Sequence, residues 1–278
     1  MPRHDEGFFS AKDKLQLFWV SDLPDGPPRA HVALVHGYGD HSGRYRPAID
    51  ALVADGYAVH SFDYRGHGRA GGRRGHAQHW SHFVDDLEVF WARVRRVAGS
   101  EKTFLLGHSH GGLMALHWLA RDVQGLSGLV LSAPYLRLAL TPPALKVVAA
   151  RLVGPVLPWL PIKSGLKAAD LTRDEAIQAA TLADPLYLDI ATPGWFVESS
   201  RAQVQALATG PALKVPLLLF CGEKDGVAST VASRAFFESV ASADKTYKEY
   251  VGMRHEPMNE VGRDEVFRDI SGWISKHL

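Results

Sequence analysis

The sequence predicts an α/β protein: a mostly parallel, eight-stranded β-sheet flanked by helices, with a helical insertion that forms a cap over the sheet. Short, unbroken apolar runs alternate with amphipathic segments of helical length, which is typical of buried strands joined by crossover helices. The alternation stops after residue 135 and resumes at residue 213. The 278 residues are enough for one large core, and a single cysteine excludes an internal disulfide.

Eight apolar runs are expected to form the strands of the sheet, the first two as an N-terminal hairpin. They comprise residues 8–9, 15–20, 31–35, 57–62, 103–107, 129–132, 216–222 and 247–251. Helices are expected at residues 45–55, 80–98, 111–121, 231–240 and 265–277. Connections between parallel strands are expected to be right-handed crossovers.

Residues 136–212 are predicted to form the cap, and residues 1–135 and 213–278 to form the core domain. Pro155, Pro158 and Pro161 prevent one continuous helix, and so long a segment needs secondary structure of its own in a compact domain. The alternative is that these residues simply enlarge the hydrophobic core. It stays open because their apolar excess has only weak periodicity.

Charge and hydropathy exclude several classes of protein. Lys and Arg number 31 against 30 Asp and Glu, so the net charge is +1, and there is no bulk field to hold a nucleic acid or an anionic membrane. No stretch approaches the roughly 18 apolar residues that a membrane span needs. The N-terminal residues are charged and lack an apolar segment, so no secretory signal is expected and the protein is predicted to be cytoplasmic.

Neither a cofactor nor a metal ion is expected. No G-x-G-x-x-G follows the first strand and no Walker lysine is present, so nucleotide binding is unsupported. His76, His79 and His82 are spaced by three residues, but no cysteine or carboxylate completes a tetrahedral set with them in the sequence. We therefore do not assign these histidines to a metal site.

The sharpest local signal is the pentapeptide Gly107-His108-Ser109-His110-Gly111, a G-x-S-x-G motif. It directly follows a predicted strand and directly precedes a predicted helix. At such a tight turn a serine is held in a strained backbone conformation, and the residues two positions away must be small. The motif predicts that Ser109 is an exposed nucleophile.

A serine hydroxyl needs a base to remove its proton, and the base needs an acid that holds its tautomer. Asp225 and His255 each follow a predicted strand, and α/β sheets place their sites beyond the carboxyl ends of strands. We therefore predict a catalytic set of Ser109, Asp225 and His255. Glu223 is the alternative acid, since it also lies close to the end of its strand.

The oxyanion of an acyl-transfer intermediate needs backbone donors as well. The tetrapeptide HGYG at residues 36–39 directly follows the third predicted strand, and its glycines allow the backbone to turn N–H groups inward. We predict that the N–H groups of Tyr38 and His110 form the oxyanion hole.

Together these motifs resemble the monoacylglycerol lipase and lysophospholipase group of α/β-hydrolases. The stretches that carry the resemblance are residues 36–45, 62–68, 107–112, 215–225 and 252–260. The resemblance implies an α/β-hydrolase fold, the triad and oxyanion donors named above, and a mobile cap over an acyl-chain tunnel. It also implies that the substrates are small lipid esters of glycerol or lysophospholipids.

The predicted function is that of a serine hydrolase that cleaves carboxylic esters of lipids, foremost monoacylglycerols, through an acyl-enzyme. A lysophospholipase and a general carboxylesterase are the alternatives within ester hydrolysis. An aminopeptidase would need carboxylates to hold an amine, and Asp170, Asp174 and Glu175 keep this interpretation open. A non-catalytic scaffold that binds a small ligand is the last alternative. Ser109 excludes epoxide hydrolases and haloalkane dehalogenases, which need an aspartate at that position.

Apolar residues of the cap are expected to line the mouth of the tunnel. They are Val153, Val156, Leu157, Trp159 and Leu160. The same surface is suited to transient contact with a lipid membrane, which would make the protein peripheral there. Packing between cap and core is an equally good interpretation, and the sequence carries no signature of an oligomeric state.

Overall fold

The computed structural model describes residues 3–121, 124–139 and 152–278, and a sheet of eight strands lies at the centre of these residues. Its eight strands are β1 (Arg3–Ser10), β2 (Gln16–Leu23), β3 (His31–Val35), β4 (Ala58–Asp63), β5 (Thr103–His108), β6 (Gly128–Ser132), β9 (Leu217–Gly222) and β10 (Lys245–Tyr250). Two short strands outside this sheet are β7 (Ile162–Lys163) and β8 (Ile190–Ala191). The helices are α1 (Arg46–Ala54), α2 (Trp80–Ala98), α3 (His110–Leu119), α4 (Ala168–Leu171), α5 (Glu175–Ala183), α6 (Pro193–Leu207), α7 (Thr230–Ser239) and α8 (Arg263–Ser275).

The sheet has the strand order β1-β2-β4-β3-β5-β6-β9-β10. β2 pairs antiparallel with both β1 and β4, whereas the other neighbours are parallel. The prediction of a mostly parallel, eight-stranded sheet is therefore confirmed. β1 begins at Arg3 rather than at residue 8, because an edge strand needs no continuous apolar run. Its polar residues pair with β2 along the whole strand, from Arg3 opposite Leu23 to Ser10 opposite Gln16.

Helices cover both faces of the sheet. α2, α3 and α7 contribute buried apolar side chains to a cluster on one face, and α1 and α8 contribute to the cluster on the other. In β3, Ala33 and Val35 belong to the first cluster, whereas Val32 and Leu34 belong to the second. This follows the two-residue period of a strand and explains why a strand buried on both faces is an unbroken apolar run.

The chain leaves the sheet after β6 and returns at β9, although these two strands are neighbours in it. The part in between carries α4, α5, α6 and a separate antiparallel pair of β7 and β8, which we did not predict. Residues 140–151, inside the predicted cap, lie outside the described residues. α6 packs on the core, since its Trp195, Ala202 and Ala206 join the same buried cluster as α2 and α3.

Segments that follow two core strands contact this inserted part of the chain. Leu188 N–H donates a 2.7 Å hydrogen bond to Gly39 O, just beyond β3. Glu256 N–H, beyond β10, donates one of 2.9 Å to Leu171 O of α4. The carboxyl ends of the strands therefore face the inserted elements. No helix within the described ranges is long and apolar enough to cross a membrane.

Candidate active site

Ser109 lies at a sharp turn between β5 and α3. Its backbone has φ +50° and ψ −113°, in the positive-φ region that L-residues rarely adopt. The N–H of Ser109 donates a 2.9 Å hydrogen bond to Ser132 O at the end of β6, so the neighbouring strand holds the turn. This is the strained turn that a G-x-S-x-G motif predicts. The expectation of an exposed serine is wrong, since Ser109 is 7% exposed because the loop at Gly37 and the ring of His255 lie against it.

Two glycines make the turn possible. A Cβ on Gly107 would lie 2.8 Å from Gly111 O, and a Cβ on Gly111 would lie 2.3 Å from Val35 O of β3. Both distances are shorter than real Cβ contacts, and the atoms met belong to the backbone, so relief would distort the sheet or the helix. The expectation that only small residues fit at these two positions therefore has a direct steric basis.

Ser109, His255 and Asp225 form a chain of hydrogen bonds, although 146 residues separate the first two. Ser109 Oγ lies 2.9 Å from His255 Nε2, and His255 Nδ1 lies 2.8 Å from Asp225 Oδ2. The other carboxylate oxygen of Asp225 accepts hydrogen bonds from Val227 N–H and Ala228 N–H, of 2.8 and 2.9 Å. The structure thus brings together the three residues that the sequence predicts as a catalytic set.

Glu223, the alternative acid, is engaged elsewhere. Its carboxylate accepts a 2.9 Å hydrogen bond from Gly252 N–H and pairs with Lys224 Nζ at 3.1 Å. The side chain of Glu223 is 35% exposed, whereas that of Asp225 is fully buried. Asp225 is therefore the carboxylate that holds the imidazole of His255.

Burial and charge act in opposite directions on His255. Removal from water lowers the pKa of the imidazole, but the charge and hydrogen bond of Asp225, together with the charges of Glu256 and Asp40, raise it by more, so the pKa lies above its ordinary value of 6.5. The ring centroid of His108 is 5.0 Å from that of His255, yet burial lowers the pKa of His108 to about 3. His255 is therefore the stronger base beside Ser109.

The N–H of Tyr38 belongs to the peptide group that begins with Gly37 C=O. That carbonyl oxygen accepts two hydrogen bonds, from Tyr64 Oη and His36 Nδ1, each 2.7 Å long. Because a trans peptide is planar with its N–H opposite its C=O, holding the oxygen also fixes the direction of the N–H. This loop lies against the serine, since a Cβ built on Gly37 would be 3.5 Å from Ser109 Cβ.

The second predicted donor is held in the same way. The N–H of His110 belongs to the peptide group of Ser109 C=O, and this oxygen accepts hydrogen bonds from Leu113 N–H at 3.1 Å and Tyr135 N–H at 3.0 Å. Within the described ranges, neither Tyr38 N–H nor His110 N–H has an acceptor. Both are therefore available to an incoming oxygen atom, with their directions already set.

The side chains of Tyr38 and His110 are packed among other rings. Tyr38 Oη donates a 2.7 Å hydrogen bond to Gly75 O. The ring of His110 is fully buried and makes edge contacts with Trp80 and Phe83. The side chains thus anchor the two residues, while the described residues place no acceptor on either backbone N–H group.

A buried ion cluster, which sequence reasoning missed, joins the site to the inserted part of the chain. Arg44 donates hydrogen bonds to Asp40 Oδ1, Glu256 Oε2 and Thr181 Oγ1, of 2.9, 3.0 and 2.8 Å. Asp40 lies in the loop after β3, Glu256 directly follows His255, and Thr181 is on α5. Burial alone would raise the pKa of Asp40, but the charge of Arg44 holds it below its ordinary range. The four-residue spacing of Asp40 and Arg44 gave no helical signal, because Asp40 lies in a loop.

The residues predicted at the tunnel mouth lie largely on the surface. Val156 is 71% exposed, and Leu157, Trp159 and Leu160 are 41–42% exposed. Val153 is half-buried. The guanidinium of Arg73 lies 4.9 Å from the ring centroid of Trp159, so this tryptophan has a partner on the core. A role of the five residues in binding an acyl chain stays a prediction.

The three evenly spaced histidines do not surround a common point. The rings of His79 and His82 meet edge to face at 5.5 Å, whereas His76 Nδ1 lies 3.3 Å from Thr192 Oγ1. In the part of the chain that the structure describes, no group of three His, Cys, Asp or Glu side chains is placed to hold a metal ion.

Comparison with known proteins identifies relatives that match this chain over nearly its whole length. A family model described as serine aminopeptidase, S33, matches residues 26–262. The chain is 34% identical to a monoacylglycerol lipase from Mycolicibacterium smegmatis over 274 residues, which are 98% of each chain. It is 30% identical to phospholipase YtpA from Bacillus subtilis over 94% of this chain and 99% of that one. The solved structure of a monoacylglycerol lipase from Paleococcus ferrophilus has a TM-score of 0.81 and 29% identity, with 100% of both chains covered.

Proposed function

The chain belongs to the serine aminopeptidase S33 family of α/β-hydrolases, and on this premise we propose that it hydrolyses the ester bond of monoacylglycerols through an acyl-enzyme on Ser109. That it is a carboxylic ester hydrolase follows from its relatives. The observation that carries the finer proposal is the 2.9 Å contact between Ser109 Oγ and His255 Nε2. The names of the full-length relatives support the choice of substrate.

In the first half of the proposed reaction, His255 Nε2 removes the proton of Ser109 as its Oγ attacks the ester carbonyl carbon. The carbonyl oxygen becomes an oxyanion and accepts hydrogen bonds from the N–H groups of Tyr38 and His110. Asp225 stabilises the imidazolium that forms, because its buried carboxylate lies 2.8 Å from Nδ1. The C–O bond to the alcohol then breaks, and the leaving oxygen takes the proton from Nε2.

In the second half, water replaces the alcohol. His255 Nε2 takes one proton of the water while the water oxygen attacks the acyl carbon on Ser109 Oγ. The same two N–H groups stabilise the second oxyanion, and Ser109 leaves with the proton from Nε2. The products are a fatty acid and glycerol, and the enzyme returns to its starting protonation state.

Residues 136–212 are proposed to act as a cap that holds the acyl chain over Ser109. Val153, Val156, Leu157, Trp159 and Leu160 would form its apolar entrance and make transient contact with a lipid surface. The exposure of Val156, Leu157, Trp159 and Leu160 supports this role, since exposed apolar patches mark binding surfaces.

Of the three carboxylates that allowed the interpretation as an aminopeptidase, Asp170 and Asp174 accept hydrogen bonds at the starts of helices. Asp170 Oδ2 accepts a 2.9 Å hydrogen bond from Lys167 N–H at the start of α4. Asp174 Oδ1 accepts from Ala176 N–H at the start of α5, and its other oxygen pairs with Arg263 at 2.7 Å. These contacts engage Asp170 and Asp174 in the local structure of the helix starts, which favours ester hydrolysis over recognition of a peptide amine.

A fluorophosphonate label tests the nucleophile. The purified protein should be labelled at Ser109, and the Ser109→Ala variant should not be labelled. Ser200→Ala is the matched control, because Ser200 is on α6 and its hydroxyl bonds to Phe196 O. Failure to label the wild-type protein would favour a non-catalytic scaffold.

A substrate panel tests the ester class. We expect kcat/KM to be highest for monoacylglycerols, lower for lysophospholipids and short aryl esters, and negligible for aminoacyl anilides. Preference for lysophospholipids would replace the proposed substrate by a phospholipid, and preference for short aryl esters would indicate a general carboxylesterase. Turnover of the anilides alone would overturn ester hydrolysis itself.

A further inference from the structure

Trp195, on α6, contacts the side chains of both residues that are proposed to supply the oxyanion donors. Its ring stacks on that of Tyr38, with the centroids 3.7 Å apart and an interplanar angle of 23°. Its Nε1–H donates a 3.1 Å hydrogen bond to His110 Nε2. Trp195 is 8% exposed, so these contacts are shielded from water.

The hydrogen bond between Trp195 and His110 has a fixed direction. Indole nitrogen is only a donor, so His110 Nε2 must be the acceptor and carry no proton. This requires a neutral imidazole, and burial lowers the pKa of His110 to about 3. The contact therefore holds His110 in one tautomer and one ring orientation over the physiological pH range.

The residues just before Trp195 bond to two loops beside Tyr38, the loop after β3 and the loop that carries Gly75. Thr192 Oγ1 donates a 3.2 Å hydrogen bond to Gly75 O, the carbonyl that also accepts from Tyr38 Oη. Leu188 N–H bonds to the carbonyl of Gly39, one residue after Tyr38. One short segment, residues 188–195, is thus connected to the loop after β3 and to the first residue of α3.

We propose that Trp195 is a positioning residue for the oxyanion hole, and that the hole is complete only while α6 is seated on the core. This inference rests on the proposed function. Trp195 acts through Tyr38 and His110, and its effect should appear in the transition state, where the oxyanion forms. It should therefore change kcat far more than KM.

The effect should also be independent of acyl length, because every ester forms the same oxyanion. A tryptophan that lined the acyl tunnel would instead affect long-chain esters and spare short ones. Comparison of a long-chain monoacylglycerol with a short aryl ester therefore separates the two roles.

Two substitutions separate the contributions of the two contacts that Trp195 makes. Trp195→Phe keeps a stacked ring and removes the N–H, and we expect a loss in kcat of about tenfold. Trp195→Leu removes both contacts, and the expected loss approaches the roughly 10²-fold cost of a missing oxyanion donor. The rate of fluorophosphonate labelling should fall by similar factors. KM should stay near its wild-type value for both esters.

Trp91→Phe is the matched control. Trp91 is 5% exposed, lies on α2, and its Nε1–H donates a 3.3 Å hydrogen bond to Gln124 O. The substitution thus removes a buried indole N–H bond of the same kind away from the site, and kcat should not change. An equal loss in this control would mean that any buried tryptophan has the effect, and would overturn the proposal.

A double variant tests whether Trp195 affects kcat through His110. His110→Leu removes the acceptor, so adding Trp195→Phe in that background should cause little further loss in kcat. Full additivity of the two losses, or a loss confined to KM or to long-chain esters, would overturn the proposal. If Trp195→Leu does not fold, kcat of Trp195→Phe and of the double variant with His110→Leu still tests the proposal. A wild-type protein without esterase activity would refute the proposed function, whereas full kcat in both Trp195 variants would refute this inference alone.

Discussion

The hydroxyl group of Tyr64 donates a 2.7 Å hydrogen bond to the carbonyl oxygen of Gly37. Tyr64 directly follows β4, and Gly37 lies in the loop after the neighbouring strand β3. Because the carbonyl shares a planar peptide with the N–H of Tyr38, a side chain beyond one strand sets the direction of a donor beyond the next.

Tyr64→Phe should lower kcat about three- to tenfold, which corresponds to one neutral hydrogen bond, and leave KM unchanged. The physical reason is that the peptide can rotate slightly once its oxygen has lost a partner. Steady-state kinetics on a short aryl ester measures the effect. Tyr57→Phe is the control, since the buried Tyr57 Oη bonds to Ser271 O at 3.1 Å in the other hydrophobic cluster. Equal kcat values for the two variants would contradict a role for Tyr64.

The pH dependence of kcat/KM should rise to a plateau, with an inflection above 6.5. His255 must be neutral to accept the proton of Ser109, and the carboxylates around it, foremost Asp225, outweigh burial and raise the pKa of His255 above its ordinary value of 6.5. The imidazole of His255 therefore becomes neutral at a higher pH than that of a free histidine. A pH-rate profile between pH 5 and 9 measures the inflection. A profile that is flat, or that falls with increasing pH, would rule out His255 as the base.

Asp225→Asn should lower kcat by about 10⁴-fold, because the amide no longer holds the imidazole in the required tautomer or stabilises its positive charge. Glu223→Gln should leave kcat unchanged, since Glu223 contacts Gly252 and Lys224 instead. The two substitutions make the same chemical change two residues apart. If Glu223→Gln had the larger effect, the assignment of the acid would be wrong.

Gly111→Ala should lower the free energy of unfolding by about 3 kcal/mol, because the added methyl group overlaps Val35 O, 2.3 Å away. Gly272→Ala should instead raise it by up to about 1 kcal/mol. Gly272 lies within α8 and a Cβ there meets nothing within 4 Å. Urea denaturation followed by circular dichroism measures both. Equal stability of the two variants would show that the turn at Ser109 relaxes without strain.

The sheet was predictable because strands buried on both faces leave unbroken apolar runs. Each of the eight predicted runs overlaps one strand of the sheet. The edge strand β1 was recognised only in part, since its exposed residues follow no apolar pattern. The short pair of β7 and β8 gave no signal, because two-residue strands are set by their partners. The resemblance to α/β-hydrolases, drawn from short motifs, is confirmed by the comparisons.

The residues that hold the site are harder to predict than those proposed to perform the chemistry. Ser109 stands between glycines, and Asp225 and His255 each follow a strand, so each carries a local signal. Tyr64 and Trp195 carry none, because a tyrosine after a strand or a tryptophan on a helix is common in any core. Their importance arises from what they touch.

The strained serine turn, the buried strands and the chemical groups at their ends could be predicted from local patterns, because steric and burial rules act over a few neighbouring residues. The fold was needed to show which carboxylate meets the imidazole, which hydroxyl orients the peptide of Tyr38, and that a helix between β6 and β9 contacts both Tyr38 and His110. These depend on distances between segments far apart in the chain. Such distances are set by the packing of the whole sheet and its helices, and no local pattern encodes them.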